Sequence, residues 1–354
     1  MNLALATDAW FPQVNGVVRS LSTTLELLRA RGHNIEAITP ERFVTVPMPG
    51  YASIRLAVAP RFGVRRMLDT MQPDLVHIAT EGPIGWAARG WCLSRQVPFT
   101  SAFHTRFPEY AAVRTGISAE HFWPIMRRFH APSSAVLVST LTLADELAAR
   151  GIGPTMLWSR GIDAALFRPE GARHPAMDAL PGPVLLNVGR VAAEKNLEAF
   201  LDAKVPGSKV VVGDGPALAT LQRKYPDVLF LGSLSGDALA SAYRAADCFV
   251  FPSRTDTFGL VVIEALACGV PVAAYPVAGP IDILGPDGCG VDMTLPTPAG
   301  ALDQDLERAI TRALAIPREA AAVLGSRYSW DRATDQFEAA INLAVSVRPT
   351  RQAA

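Results

Sequence analysis

The chain has 354 residues, 49% of them hydrophobic and 19% charged, with 33 Lys+Arg set against 33 Asp+Glu. High hydrophobicity without net charge excludes intrinsic disorder, and at roughly 100–200 residues per domain the length points to two domains. The zero balance hides an asymmetry, since residues 1–170 carry 17 basic and 13 acidic side chains, a net of +4, while residues 171–354 carry 16 and 20, a net of −4. An excess that small excludes a nucleic-acid binder, whose binding domain has a pI above about 9, but it suits phosphates or an anionic membrane surface.

Residues 2–6 (NLALA) read as a buried strand, and residues 16–31 as a helix with Val17, Leu21, Leu25 and Leu28 on one face. The start, MNLALATDAW, reaches Asp8 before an apolar leader core can form, so no signal peptide is expected. Further strands are expected at Ile35–Thr39, Leu75–Ile78, Phe99–Ala102 and Val136–Ser139. Strand alternating with helix over about 165 residues implies a parallel sheet covered on both faces. Residues 160–183, rich in Pro, Gly and Arg, read as an interdomain linker. The rhythm then restarts, with strands at Val184–Val188, Lys209–Val212, Leu229–Leu231, Cys248–Phe251 and Val270–Ala274 and helices between them. Residues 330–345 have helical periodicity. No uncharged apolar run approaches the ~18–20 residues of a membrane span. The cysteines Cys92, Cys248, Cys268 and Cys289 have no CxxC spacing, so neither zinc nor redox chemistry is visible and a reducing compartment is expected.

In open parallel sheets ligands bind at the carboxyl ends of strands, so the loops that follow strands carry the candidate chemistry. Thr7–Gly16 precedes a helix, where Gly16 permits close backbone approach and the helix start favours anions. Arg190 and Lys195 follow the strand at 184–188 and suit a diphosphate, with Arg as planar fork and Lys as mobile point charge. The plain alternative is a surface pair with Glu194. In SRTDTFGLVVIEALACG, Asp256 and Glu264 are eight apart, which on a helix means about 80° in azimuth and ~12 Å in rise, so they would meet different parts of one elongated ligand. Asp256 also suits a helix N-cap. Glu264 lies among apolar residues, where an unpaired carboxylate is costly, and ribose hydroxyls or a buried arginine would answer it. His104 follows another strand and can donate to a sugar hydroxyl or a developing charge, or be structural. Gly213–Asp214–Gly215 lacks the third glycine of a dinucleotide fingerprint, since Leu218 stands there. Asp303–Gln304–Asp305 has metal-nucleotide spacing but reads as the solvated start of a helix. The remaining histidines make no ligand spacing, so no metal site is expected.

These motifs, in this order, resemble those of the family-4 retaining glycosyltransferases. The residues that carry the resemblance are TDAWFPQVNGV, FHTRFPEY with Trp123, Arg128 and His130 downstream, RGID-x-x-x-F, NVGR-x-x-x-EKN, VVGDGP, FLGSL and PSRTDTFGLVVIEALACGVPV. The chain is most similar to the branch holding sulfoquinovosyl- and glycosyl-diacylglycerol synthases and phosphatidylinositol mannosyltransferases. The resemblance implies the α/β GT-B fold, two Rossmann-like doubly wound parallel-sheet domains facing across a cleft. Residues 1–165 would bind the acceptor, with the C-terminal segment 330–354 packing back on them, and residues 170–329 would bind the donor. It implies that Arg190 and Lys195 hold the donor diphosphate, that Gly16 adds an amide, and that Glu264 binds the ribose. Asp256 would sit near the donor sugar, Phe258 and Gly259 would cap the phosphate with their amides, and Leu234 and Leu260 would complete the donor site. His104 would contact the sugar, and Asp8, Asn15, Arg106 and Tyr110 would lie on the acceptor side. Two positions depart from the pattern: Asp256 stands where Glu is usual, and Arg160 where Asn is usual before Gly161.

The reaction so implied is transfer of a hexosyl group from a UDP- or GDP-sugar with retention of configuration. No metal or other cofactor takes part, and His104, Asp256, Arg190 and Lys195 are the catalytic set. The expected acceptor is a membrane lipid such as diacylglycerol or a phosphatidylinositol lipid, with the protein at the inner face of the cytoplasmic membrane. The stretch Arg61–Leu68 mixes Arg with apolar residues, which suits an interfacial helix or one packed on the sheet. A soluble saccharide acceptor, a nucleotide-sugar epimerase or hydrolase, and a non-catalytic nucleotide-sugar binder are the rival readings.

Overall fold

The computed structural model describes residues 1–13, 16–48, 51–256, 258–291 and 293–346. The chain divides into two units, Met1–Arg160 with Trp330–Ala354, and Gly161–Ser329. The first unit contains strands β1 (Asn2–Ala6), β2 (Asn34–Ile38), β3 (Thr45–Met48), β4 (Tyr51–Ala57), β5 (Leu75–Ile78), β6 (Phe99–Phe103), β7 (Ala135–Val138) and β8 (Thr155–Leu157). Six of them form one parallel sheet in the order β2-β1-β5-β6-β7-β8, and β3 and β4 pair as an antiparallel hairpin. Parallel strands covered on both faces read as continuous apolar runs, and β5 and β7 are buried at every residue.

Alternation of side chains divides this unit's core in two. Leu3 and Leu5 face the helices Gly16–Ala30 and Trp330–Ser346, where Leu21, Leu25, Phe337 and Ile341 pack with Trp158. Ala4 and Ala6 face the helices Arg61–Met71 and Pro83–Arg95, through Val64, Leu68, Ile84 and Ala88. The helix from Trp330 therefore completes the first unit's sheet, although 169 residues of the second unit, Gly161–Ser329, precede it in sequence.

The second unit holds β9 (Val184–Val188), β10 (Ser208–Val212), β11 (Leu229–Gly232), β12 (Cys248–Phe251), β13 (Val272–Ala274) and β14 (Gly300–Leu302), all parallel, in the order β11-β10-β9-β12-β13-β14. This is the Rossmann order, reversing between its first and fourth strands. Leu186, Val210 and Phe249 face one helical layer and Leu185, Val211 and Val250 the other.

Two expectations change. Residues 160–183 are no free linker, because Arg160 is buried at the end of the first unit, Ile162, Phe167 and Met177 are buried in the second unit's core, and Ile162 bridges Ser329. The Asp303–Asp305 pair precedes its helix: Asp305 caps Leu306–Ala313, accepting from the amides of Glu307 and Arg308, and Asp303 binds the Arg308 guanidinium at 2.9 Å.

Candidate functional site

In the second unit the strand order reverses between β9 and β12, so the crevice lies between the loops that follow them. Those loops are tied together. Asn187 Nδ2 donates to the Val250 carbonyl at 2.9 Å, Asn196 Nδ2 to that of Pro252 at 3.1 Å, and Thr255 Oγ1 to that of Glu194 at 3.4 Å. Lys195 Nζ meets Asp256 Oδ1 at 2.5 Å. Asp256 lies in the loop before the helix Leu260–Ala267, whose N-cap is Gly259, so neither the helical spacing to Glu264 nor the N-cap reading applies to it. Its carboxylate instead holds the lysine of the neighbouring loop. Arg190 belongs to the same loop as Lys195 and is half-exposed, with Glu194 Oε1 at 3.8 Å.

Gly213, just past β10, supports this arrangement. Its φ is +141°, and a Cβ there would sit 1.8 Å from the Gly189 carbonyl oxygen. The backbone of the loop after β10 thus lies directly against the loop that carries Arg190, and Val191 N donates to the Asp214 carbonyl at 2.9 Å. The Gly-Asp-Gly run serves this close packing, which explains why a third glycine is not required.

Gly259 opens its helix with φ +94°, a conformation that disfavours any side chain. Phe258 is buried, and Gly279 approaches its carbonyl so closely that a Cβ would lie 2.4 Å away. Leu234 and Leu260 are partly buried against the same apolar cluster. Glu264, one turn into the helix, is 2% exposed, and its Oε2 accepts from the Tyr243 hydroxyl at 3.0 Å. A tyrosine hydroxyl is therefore one protein partner of this buried carboxylate. Arg254 stacks on the Tyr275 ring at 3.6 Å, beside the carboxyl ends of β12 and β13, and had no signal in the sequence.

In the first unit the order reverses between β1 and β5. Asp8, at the end of β1, is committed to the neighbouring helix. Its oxygens accept from the amides of Ile84 at 3.0 Å and Gly85 at 3.3 Å and from Thr80 Oγ1 at 2.9 Å. Burial raises its pKa above the ordinary carboxylate value, against those three bonds and with help from the Glu81 charge. Gly16 begins the helix Gly16–Ala30, and Asn15 lies outside the described residues.

His104 follows β6 and is buried. Arg160, also buried, stacks over Trp158 at 4.8 Å and donates to the Trp158 carbonyl at 2.7 Å and to His104 Nδ1 at 3.0 Å. A guanidinium only donates, so Nδ1 accepts and the imidazole proton is on Nε2. Burial, then the Arg160 charge, then His77 hold the His104 pKa well below the ordinary imidazole value, and burial brings Arg160 down to about 10. His104 is therefore a neutral N–H donor of fixed tautomer. Arg106 is engaged by Glu146 in a bidentate pair at 3.1 and 2.6 Å. Tyr110 lies in the helix Phe107–Thr115, and its side chain is outside the described set.

A buried polar chain runs beside this edge. Ser133 Oγ donates to the His130 carbonyl at 2.6 Å, Ser101 Oγ lies 2.8 Å from His130 Nδ1, and His130 Nε2 lies 3.3 Å from Glu81 Oε1. Ser101 pairs with Ile78, so Glu81 and His104 each stand three residues beyond paired positions on adjacent strands. Glu81 has no signal in the sequence beyond its place just after a buried strand. Among the described residues no cluster of three or more His, Cys, Asp or Glu is arranged to hold a metal ion.

Two family profiles match the chain. One, described as Glycosyltransferase Family 4, covers residues 14–166, and the other, Glycosyl transferases group 1, covers residues 182–315. The chain is 31% identical to a GDP-mannose-dependent alpha-mannosyltransferase of Mycobacterium tuberculosis, over 100% of this chain and 99% of that one. It is 27% identical to an alpha-monoglucosyldiacylglycerol synthase of Streptococcus pneumoniae, over 78% of this chain and 71% of that one. Among solved structures, a sucrose-phosphate synthase from Thermosynechococcus elongatus aligns with a TM-score of 0.73 at 24% identity, covering 98% and 99% of the two chains. At that identity the likeness is one of fold.

Proposed function

The chain belongs to glycosyltransferase family 4, with GT-B architecture, and from that premise we propose that it transfers a hexosyl group from a UDP- or GDP-sugar, with retention and without a metal, to a hydroxyl of a membrane lipid. The observation that carries this reading is the stitched pair of loops at the switch point of the second unit. There Asp256, in the loop that leads to the helix start at Gly259, holds Lys195 of the loop that also carries Arg190, and developing diphosphate charge would be stabilised by these donors. Asp256 keeps Lys195 at that crevice and is assigned to the donor sugar as well. Glu264 is assigned to the ribose, Phe258, Leu260 and Leu234 to the remainder of the donor, and Gly16 to a further phosphate amide. Asp8 and Arg106 are engaged within the protein, so their acceptor-side assignment is through shaping the first unit's edge.

In the reaction, the bond from the anomeric carbon to the diphosphate oxygen breaks and a bond to the acceptor oxygen forms on the same face. The departing phosphate oxygen takes the acceptor proton, so no separate base is required. His104, neutral and protonated on Nε2, is assigned to donate to a sugar hydroxyl. The diacylglycerol named in one relative supports the lipid acceptor, and the GDP-mannose named in another supports a nucleotide-sugar donor. The test is a thermal-shift screen of UDP-, GDP- and ADP-sugars, followed by transfer to diacylglycerol or phosphatidylinositol in vesicles, with and without EDTA. Transfer is expected to survive EDTA and to be lost in Arg190→Ala and Glu264→Ala with the fold retained. A strict requirement for a divalent ion, or transfer only to soluble saccharides, overturns the corresponding part.

A further inference from the structure

Of the residues expected on the acceptor side, Asp8 and Arg106 use their polar atoms inside the first unit. One carboxyl group at the same edge does not. Glu81 follows β5 in a loop that Asp8 holds in place. Asp8 N donates to Thr80 Oγ1 at 2.7 Å, Thr80 Oγ1 donates back to Asp8 Oδ2 at 2.9 Å, and a Cβ on Gly82 would lie 2.4 Å from the Asp8 carboxyl. The loop stands where the strand order reverses between β1 and β5, next to the loop after β6 that carries His104. Glu81 Oε1 meets His130 Nε2, and the side chain is 12% exposed. Its second oxygen has no protein partner among the described residues and is not sealed from solvent.

The bonds behind Glu81 can be followed proton by proton. Ser133 has one hydroxyl proton, and it goes to the His130 carbonyl at 2.6 Å, since a carbonyl only accepts. The 3.2 Å contact between Ser101 Oγ and Ser133 Oγ then uses the Ser101 proton. Ser101 has none left for His130 Nδ1 at 2.8 Å, so Nδ1 donates and carries a proton. The contact from Nε2 to Glu81 Oε1 at 3.3 Å needs one proton more, on the nitrogen or on the oxygen. The pair is therefore neutral overall, as imidazolium with carboxylate or as imidazole with carboxylic acid, and in both forms the outward oxygen of Glu81 accepts. Ser101 and His130 are fully buried. Arg89 fixes the end of the helix Trp123–His130, donating to the Phe129 and Arg128 carbonyls at 3.0 and 2.7 Å. A buried chain with every donor and acceptor matched is rigid, and this one ends at the outward oxygen of Glu81.

An acceptor atom on a neutral pair suits a neutral hydroxyl and gives an ammonium group no net charge to answer. That hydroxyl is not the reacting one, whose proton passes to the departing phosphate oxygen. We infer that Glu81 binds a second, non-reacting hydroxyl of the acceptor, so that the acceptor is a polyol and not the single-hydroxyl diacylglycerol. A site built to bond a substrate hydroxyl rejects the analogue that lacks it, because its own buried polar chain is left unanswered. The inference narrows the lipid-acceptor reading and rests on its transfer chemistry. A lipid headgroup and a soluble saccharide share the polyol chemistry, and the experiment separates them.

The full chain is assayed with UDP-glucose and with GDP-mannose as donors. The acceptors are phosphatidylcholine vesicles carrying diacylglycerol, monoglucosyldiacylglycerol or phosphatidylinositol, and soluble methyl glucoside and inositol. Wild type, Glu81→Ala and Glu81→Gln are compared, with thermal unfolding as the check of fold; Glu81→Met, of similar length, replaces Glu81→Ala if that variant does not fold. The wild type is expected to use a polyol at least about tenfold better in kcat/KM than diacylglycerol. Glu81→Ala is expected to raise the KM for that polyol at least about tenfold, to shift the KM for the nucleotide sugar by less than about threefold, and so to collapse the preference over diacylglycerol. Glu81→Gln is expected to restore most of the preference, because its amide N–H can donate to His130 Nε2 while its carbonyl oxygen serves the hydroxyl. Equal losses on polyol and diacylglycerol in Glu81→Ala, or a Glu81→Gln as impaired as Glu81→Ala, overturn the inference. A wild type that prefers diacylglycerol overturns it and leaves the lipid acceptor standing. Transfer to soluble polyols alone, lost in Glu81→Ala, upholds it and overturns the lipid acceptor. Transfer to none of these acceptors overturns both.

Discussion

Arg160 shows how one residue can carry a role that no motif records. It stands where the family pattern has asparagine, and it is buried against Trp158 with its guanidinium on His104 Nδ1 at 3.0 Å. An asparagine at that position would be too short to reach, and a lysine could not hold Trp158 and His104 with one planar fork. A hydrogen bond to a charged group contributes about 1.5–3 kcal/mol, and if that orients a donor used in the transition state the corresponding loss of rate is roughly 10- to 100-fold. Arg160→Lys is therefore expected to lower kcat by that factor while the KM for the nucleotide sugar moves little. A kcat within about twofold of wild type in a folded Arg160→Lys protein would contradict the positioning role. The contact was not legible in the sequence because the two residues are 56 positions apart. Arg190 and Lys195 were legible, since a lysine following a buried strand stands out in a chain with only four lysines. His77 makes a second prediction at this scale. It is buried in β5 with Nδ1 2.9 Å from Thr100 Oγ1, and burial pushes its pKa down to about 3. An unfolded histidine titrates near ~6.5. Below that pH the unfolded chain gains a proton that the folded protein refuses, so stability falls as pH falls, by about 1.4 kcal/mol per pH unit for this histidine. His77→Gln removes that slope. Urea unfolding at neutral pH and about 1.5 units below pH 6.5 should find the gap between wild type and variant shifted by about 2 kcal/mol in the variant's favour on acidification. An equal gap at both pH values would show that His77 does not titrate this way.

At the scale of elements, the long buried strands are legible in the sequence, whereas the short edge strands β8 and β14, the hairpin and the loops are not. Runs such as CFVF and AVLV are buried throughout, and hydrophobicity alone marks them. The hairpin escaped notice because Pro47 and Pro49 interrupt its pattern, and proline within a run argues against a strand. Residues 160–183 have the composition of a linker because Pro and Gly also occur in chain that is packed but irregular. The Gly-Asp-Gly loop after β10 was visible, yet its purpose depends on what lies across from it, which composition does not encode. A Cβ on Gly213 would fall 1.8 Å from the Gly189 carbonyl oxygen, and backbone on both sides leaves nothing flexible to yield. Gly213→Ala should therefore cost more than about 2 kcal/mol and also displace the loop of Arg190, weakening UDP or GDP binding along with stability. Thermal unfolding and nucleotide titration of the same variant decide the matter. Full nucleotide affinity in a destabilised protein would mean that the loop after β10 does not support the donor crevice.

For the whole molecule, the charge asymmetry legible in the sequence sharpens once the true units are used. The first unit holds 19 basic and 14 acidic residues and the second 14 and 19, so the imbalance of +4 and −4 between sequence halves becomes +5 and −5. The donor diphosphate is anionic, yet it would approach a unit of net negative charge and be held only by contacts at bonding distance, from Arg190, Lys195 and backbone amides. Salt tests this, because the Debye length falls from ~10 Å at about 0.1 M to ~3 Å at about 1 M. Contact pairs in a partly buried crevice are little affected, and screening also removes the second unit's repulsion of the diphosphate. Between those two concentrations, UDP or GDP affinity is expected to change by less than about threefold. A larger loss in the titration would mean that donor binding depends on a long-range field that the residue count of the second unit does not provide.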